Sequence, residues 1–122
     1  MTSRIEDLQP WPGGRGGGSG GIALELEGAL GRARVWVSEP QLEGLVVLGR
    51  YARCRVGANV FSTSVSRMHM AITRSPDGLE VLDLASTQGV RVGGVRAHRA
   101  IVGDGAVIRL ADDERVRVRV RG

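Results

Sequence analysis

Ile22-Ala23-Leu24-Glu25-Leu26-Glu27, then Gly28-Ala29-Leu30-Gly31, then Ala33-Arg34-Val35-Trp36-Val37: two runs with a two-residue hydrophobic period, joined by a glycine-bounded turn. Successive side chains of an extended chain point to opposite faces, so this period marks a half-buried strand. Two such strands around a short turn make a hairpin. After this hairpin, Leu45-Val46-Val47-Leu48-Gly49 is a short continuous apolar run suited to burial on both faces. Residues 68–73 and 78–84 form two more strands, joined by Ser75-Pro76-Asp77-Gly78, whose residue types favour a turn. Residues 90–92 and 95–96 flank Gly93-Gly94 as a tight hairpin, and 106–110 and 115–120 close the chain around Ala111-Asp112-Asp113-Glu114. No window of a dozen residues free of Gly and Pro has helical periodicity. Roughly nine to eleven short strands with frequent turns predict an all-β fold, a β-sandwich of two antiparallel or mixed sheets.

Two flanking features complete the organisation. Residues 1–21 carry Pro10-Trp11-Pro12 and a glycine tract from Gly13 to Gly21, a linker composition expected to form a flexible tail before a domain spanning 22–122. In the last strand Arg115, Arg117, Arg119 and Arg121 alternate with Val116, Val118 and Val120. One face is apolar and the other cationic, which suits a half-buried strand whose charges discourage edge pairing.

Composition narrows the function classes. The chain has 122 residues, enough for one domain and a tail, and its apolar set is almost wholly aliphatic: Trp11, Trp36, Tyr51 and Phe61 are its only aromatics. All 17 basic residues are arginine, and the net charge is +4. A basic balance favours anionic partners, but a nucleic-acid platform needs exposed aromatics, so no nucleic-acid partner is expected. Cys54 is the single cysteine, which excludes an intrachain disulfide and a CxxC metal site. No aliphatic run is long enough to span a bilayer and no signal-type segment begins the chain. The expectation is a soluble, cytoplasmic monomer without membrane contact.

Between the strands lie short segments rich in Arg, Ser, His and Gly: Gly49-Arg50, Ser66-Arg67-Met68-His69, Asp83-Leu84-Ala85-Ser86-Thr87-Gln88-Gly89 and Gly103-Asp104. Loops at one end of a sandwich converge even when distant in sequence. A phosphate placed there would meet the Arg50 guanidinium, the hydroxyls of Ser66 and Thr87, and Arg67. Arginine suits the task because its planar fork donates two parallel bonds and keeps its charge. Three or four charge-assisted bonds, less the ordering of a peptide, correspond to micromolar affinity, about 8 kcal/mol.

These four motifs, in this order and spacing, resemble the forkhead-associated (FHA) family of phosphothreonine-peptide readers over roughly residues 22–122. The resemblance implies that Arg50 and Ser66 hold the phosphate, that Thr87 and Arg67 add contacts, and that Ser64 lies in the loop that reads the peptide beyond the phosphothreonine. Gly49, His69, Ser86 and Gly89 would support the binding loops. Gln88 stands where the family has an asparagine that bonds the peptide backbone, with the same amide one methylene further out. Gly93 replaces the asparagine of a later turn, and Val90 replaces a threonine.

The expected function is therefore recognition of phosphothreonine in Ser/Thr-kinase signalling, the partner being a phosphorylated kinase or its substrate. The alternative is a degenerate FHA domain that binds partners without phosphate. Neither catalysis, a cofactor nor a metal is expected. Ser66 and His69 are three apart and would face opposite ways on a strand, with no orienting acid or nucleophile elbow. The tract at Gly13–Gly21 lacks the Lys of a Walker phosphate loop, and Asp83 and Asp104 suit turn capping better than metal binding.

Overall fold

The computed structural model describes residues 2–4, 9–10, 21–50 and 60–120. In chain order the strands are Thr2–Arg4 (β1), Gln9–Pro10 (β2), Gly21–Gly28 (β3), Gly31–Ser38 (β4), Leu45–Leu48 (β5) and Met70–Ser75 (β6). They continue with Gly78–Asp83 (β7), Arg91–Val92 (β8), Val95–Arg96 (β9), Arg99–Val102 (β10), Val107–Ala111 (β11) and Glu114–Val120 (β12), and Glu39–Glu43 is a short helix, α1. Two sheets face each other. One has the order β1-β5-β6-β7-β10, the other β2-β4-β3-β12-β11-β8-β9. The β-sandwich expected from the alternation is the fold.

Register follows the hydrophobic pattern. Ile22 lies opposite Val37, Leu24 opposite Val35 and Leu26 opposite Ala33, and on the other side of β3 Leu24 and Leu26 meet Val118 and Val116. A one-residue slip would turn these residues out to water and bring Glu25 and Glu27 in, so burial fixes the pairing. The inward residues of this sheet pack on Val46, Leu48, Met70, Ile72, Leu79 and Val81 of the other, with Phe61 as the one aromatic among the described core residues.

Five elements depart from the sequence reading. Part of the expected tail is strand: Thr2–Arg4 pairs in parallel with β5, and Gln9–Pro10 pairs with β4. The edges of β5 and β4 carry backbone groups that a passing segment satisfies whatever its composition. The glycine tract at 13–20, Trp11, Tyr51 and Cys54 lie outside the described residues. Helix α1 is unforeseen because it is one turn long. Ser38 accepts a hydrogen bond from the Gln41 amide while the Gln41 side chain accepts from the Ser38 amide, a capping box that starts the turn. Strand β10 was not anticipated either; it pairs with β7 after the chain crosses from one sheet to the other. Finally, Glu114 belongs to β12 rather than to a turn and is buried, 2% exposed.

Candidate functional site

Five backbone bonds draw the Arg/Ser/His/Gly segments together. His69 N donates to Leu48 O (2.8 Å), Arg50 N to Ser66 O (3.2 Å), Leu84 N to His69 O (3.0 Å), Asp83 N to His98 O (2.9 Å) and Ala97 N to Val90 O (2.9 Å). Gly49 lies so close beneath the 66–67 segment that a β-carbon there would overlap the carbonyls of Ser66 and Arg67. Only glycine leaves room for that approach.

His69 is the hub. Its imidazole is fully buried. Nδ1 accepts the Ser66 amide at 3.1 Å, and Nε2 lies 2.6 Å from Gly89 O. Accepting at Nδ1 leaves the proton on Nε2, which donates to that carbonyl. Both nitrogens are thus committed to backbone, and neither reaches the Ser66 hydroxyl. The Ser66–His69 pair is a loop clamp and not a nucleophile with its base.

The segment after β7 is tied in the same way. Asp83 Oδ1 accepts the Ser86 amide (2.9 Å) and hydroxyl (2.7 Å), and Ser86 Oγ accepts the Gly89 amide (2.9 Å). Asp83 is therefore a turn cap. Thr87 N donates to Ser66 Oγ at 3.1 Å, joining this loop to the Ser66 loop. The Ser66 hydroxyl proton has no acceptor among the described residues and remains available to a ligand.

Among the described residues, Arg50 and Arg67 at this end have no ion pair. The ion pairs among the described residues use Arg32, Arg34, Arg74, Arg99, Arg115 and Arg119, and none involves Arg50 or Arg67. Arg50 Nε is buried and without a hydrogen-bond partner among those residues. A buried donor without an acceptor costs about 1–3 kcal/mol, which an anion's oxygens can offset. Arg67, Thr87, Gln88 and Ser64 are exposed. The structure brings Arg50, Ser66, Thr87, His69, Ser86 and Gly89 into one bonded constellation, with Arg67 and Gln88 on the same loops. Ser64 stands on its own turn, its amide donating to Ser62 Oγ. No group of three or more metal-ligating side chains occurs among the described residues.

One supporting residue escaped the sequence reading. Glu114 Oε2 accepts the Ser62 amide at 2.5 Å, and Oε1 accepts the Ser62 hydroxyl. This carboxylate pins the start of the loop that carries Ser64 and Ser66. The signal was available, because Glu114 shares the period-two face of Val116 and Val118 and must point inward with them.

Two predictions arise from these loops. Ala85 has φ +56°, the left-handed region that costs a β-carbon-bearing residue about 1–2 kcal/mol. Replacing it with glycine relieves that strain at some entropic cost, so Ala85→Gly is expected to stabilise the fold by about 0.5–1 kcal/mol in urea unfolding. No gain, or a loss, would refute the strain.

His69 carries a pH dependence. Burial holds its imidazole below the ordinary value of 6.5, against the opposing influence of the Gly89 carbonyl bond and of Asp83 and Glu114. The folded state then takes up a proton less readily than the unfolded chain, so this contribution is complete above pH 6.5 and is lost as pH falls through the lowered folded value. Glu27, held below 4.5 chiefly by its bond to Arg115, acts only at more acid pH. Unfolding free energy should decline between pH 7.5 and 5, and much less so in His69→Asn. A flat wild-type profile over that range would contradict the clamp.

Comparisons with known proteins bear on the fold and its family. A family model for the FHA domain matches residues 46–111. The fold is similar to that of the Slr1951 protein from Synechocystis sp., with a TM-score of 0.69 and 22% identity over 85% of this chain and 99% of that one. A domain solved in a structural and functional analysis of phosphothreonine-dependent FHA domain interactions has a TM-score of 0.66 and 27% identity, over 84% and 98% of the two chains. The FhaA FHA domain, complexed with the intracellular domain of Rv3910, has a TM-score of 0.62 and 28% identity, over 80% and 99%. No curated protein matches the sequence significantly.

Proposed function

Because this chain belongs to the FHA domain family, we propose that it is a non-catalytic module that binds phosphothreonine-containing protein segments in Ser/Thr-kinase signalling. One observation carries the reading. The Ser66 hydroxyl, positioned by the Thr87 amide, has no acceptor among the described residues, and the Ser66 carbonyl accepts the amide of Arg50, a cation with no ion pair and a buried unpartnered Nε among those residues. A phosphate dianion supplies acceptors for both groups, and Arg67 and Thr87 lie on the loops that would close around it. Gln88, exposed on the same loop, would meet the peptide backbone, and Ser64 the residues beyond the phosphothreonine. Residues 22–122 form the binding unit in this reading.

The two related domains lend support, since one belongs to a study of phosphothreonine-dependent interactions and the other was solved with a protein partner. The partner here would be a phosphorylated kinase or kinase substrate, met in the cytoplasm by a monomeric domain. Among the described residues no helix is long and apolar enough to cross a membrane. Selectivity for threonine over serine would come from its methyl group. Burying one methyl contributes about 0.8 kcal/mol, or roughly fourfold.

Titration against a degenerate peptide library in phosphothreonine, phosphoserine and unphosphorylated forms tests this. The expected order is micromolar phosphothreonine binding, severalfold weaker phosphoserine binding, and none without phosphate. Equal binding of phosphorylated and unphosphorylated peptides would overturn the proposal in favour of phosphate-independent recognition.

A further inference from the structure

On the outer face of the seven-stranded sheet, Arg109 lies directly opposite Arg91, and Arg91 directly opposite Arg96. Directly paired residues stand on the same face, so the three guanidinium groups form one row across β11, β8 and β9. All three are exposed, and none makes an ion pair or hydrogen bond among the described residues. Further along the same sheet the pattern is different: Arg32 and Arg115 pair with Glu27, and Arg34 and Arg119 with Glu25. Four arginines near β3 are thus neutralised, while those near β8 face each other. Like charges directly opposite destabilise a sheet, so the fold itself gains nothing from this row.

The row begins at the loop cluster. A β-carbon at Gly89 would lie 2.5 Å from Arg96 Nε, so the Arg96 side chain rests against the glycine whose carbonyl His69 holds. Two strand spacings, about 10 Å, separate Arg96 from Arg109, the length of about three extended residues. Resting on the phosphopeptide reading above, we propose that the bound segment carries acidic residues beside its phosphothreonine and lays them along Arg96, Arg91 and Arg109. Charge selects an anionic occupant, and continuity with Gly89 selects the same peptide. A nucleic acid fits less well, since three cations span little of a phosphate backbone and no aromatic is among the exposed large hydrophobics of the described residues.

The test titrates wild type and the Arg91→Gln/Arg109→Gln variant with phosphothreonine peptides whose flanks are neutral, acidic on the amino side, or acidic on the carboxyl side. A duplex DNA oligomer serves as a fourth probe. One acidic flank should tighten wild-type binding about tenfold, as three exposed ion pairs allow. That advantage should fade in high salt and vanish in the variant, whose affinity for the neutral peptide is unchanged and whose melting temperature does not fall. Equal affinity for all three peptides, or an advantage that survives in the variant, overturns the acidic strip while leaving the phosphopeptide site standing. Failure of every phosphopeptide to bind overturns both. Tighter binding of DNA, sensitive to the same variant, assigns the row to nucleic acid and also overturns the proposal.

Discussion

Arg50→Ala is expected to weaken phosphothreonine-peptide binding about a hundredfold while leaving the folded domain intact. The guanidinium would give two charge-assisted bonds to the phosphate, each contributing about 1.5–3 kcal/mol, so its loss removes 3 kcal/mol or more. The protein itself loses no side-chain bond, because Arg50 Nε has no partner among the described residues. The Arg50 amide bond to Ser66 O is backbone and survives the substitution. Arg50→Lys should fall between the two, about tenfold weaker than wild type, since an ammonium keeps the charge but not the fork. Calorimetric titration together with a thermal melt separates binding from folding. Affinity within threefold of wild type in Arg50→Ala would mean that the phosphate is held elsewhere, or that recognition does not need one.

The second large effect concerns stability. Glu114→Ala removes a buried carboxylate that accepts both the amide and the hydroxyl of Ser62 and lies 3.5 Å from the Ala29 amide. Two donors lose their acceptor, and a cavity opens at the end of β12. A loss of about 3 kcal/mol is expected in denaturant unfolding. Glu114→Gln keeps one carbonyl acceptor and should cost about half as much. Ser62 lies four residues before Ser66, so the loosened loop should also weaken peptide binding, and hydrogen exchange at residues 62–66 should quicken. A Glu114→Ala protein as stable as wild type would show that water replaces the carboxylate without cost.

Much of the site is visible in the chain as written. Gly49-Arg50, Ser66-Arg67-Met68-His69 and the run from Asp83 to Gly89 are short patterns whose residue types suit anion binding and tight loops. The division of labour within them is not visible. Their spacing already argues against Ser66 and His69 as nucleophile and base, but how the imidazole supports the loops, bonded to the Ser66 amide and near the Gly89 carbonyl twenty residues away, is seen only in the fold. Glu114 was masked by Asp112 and Asp113, which draw it into the turn by composition although its alternation with Val116 places it inside.

Local pattern fixes the sandwich and its strands other than β1, β2 and β10, because period-two alternation is a property of consecutive residues and burial of one face leaves a single register. It also determined which residues are chemically able to hold a phosphate. What brings them together is set by contacts across the fold. Hydrogen bonds between residues far apart in sequence, Thr87 to Ser66 and Ser62 to Glu114, set the loops at one end of the sheets. Pairing of β11 with β8 and of β8 with β9 set three arginines in a row that no window of sequence contains. Such contacts depend on how strands order themselves across a sheet, and strand order is fixed by the packing of the whole core.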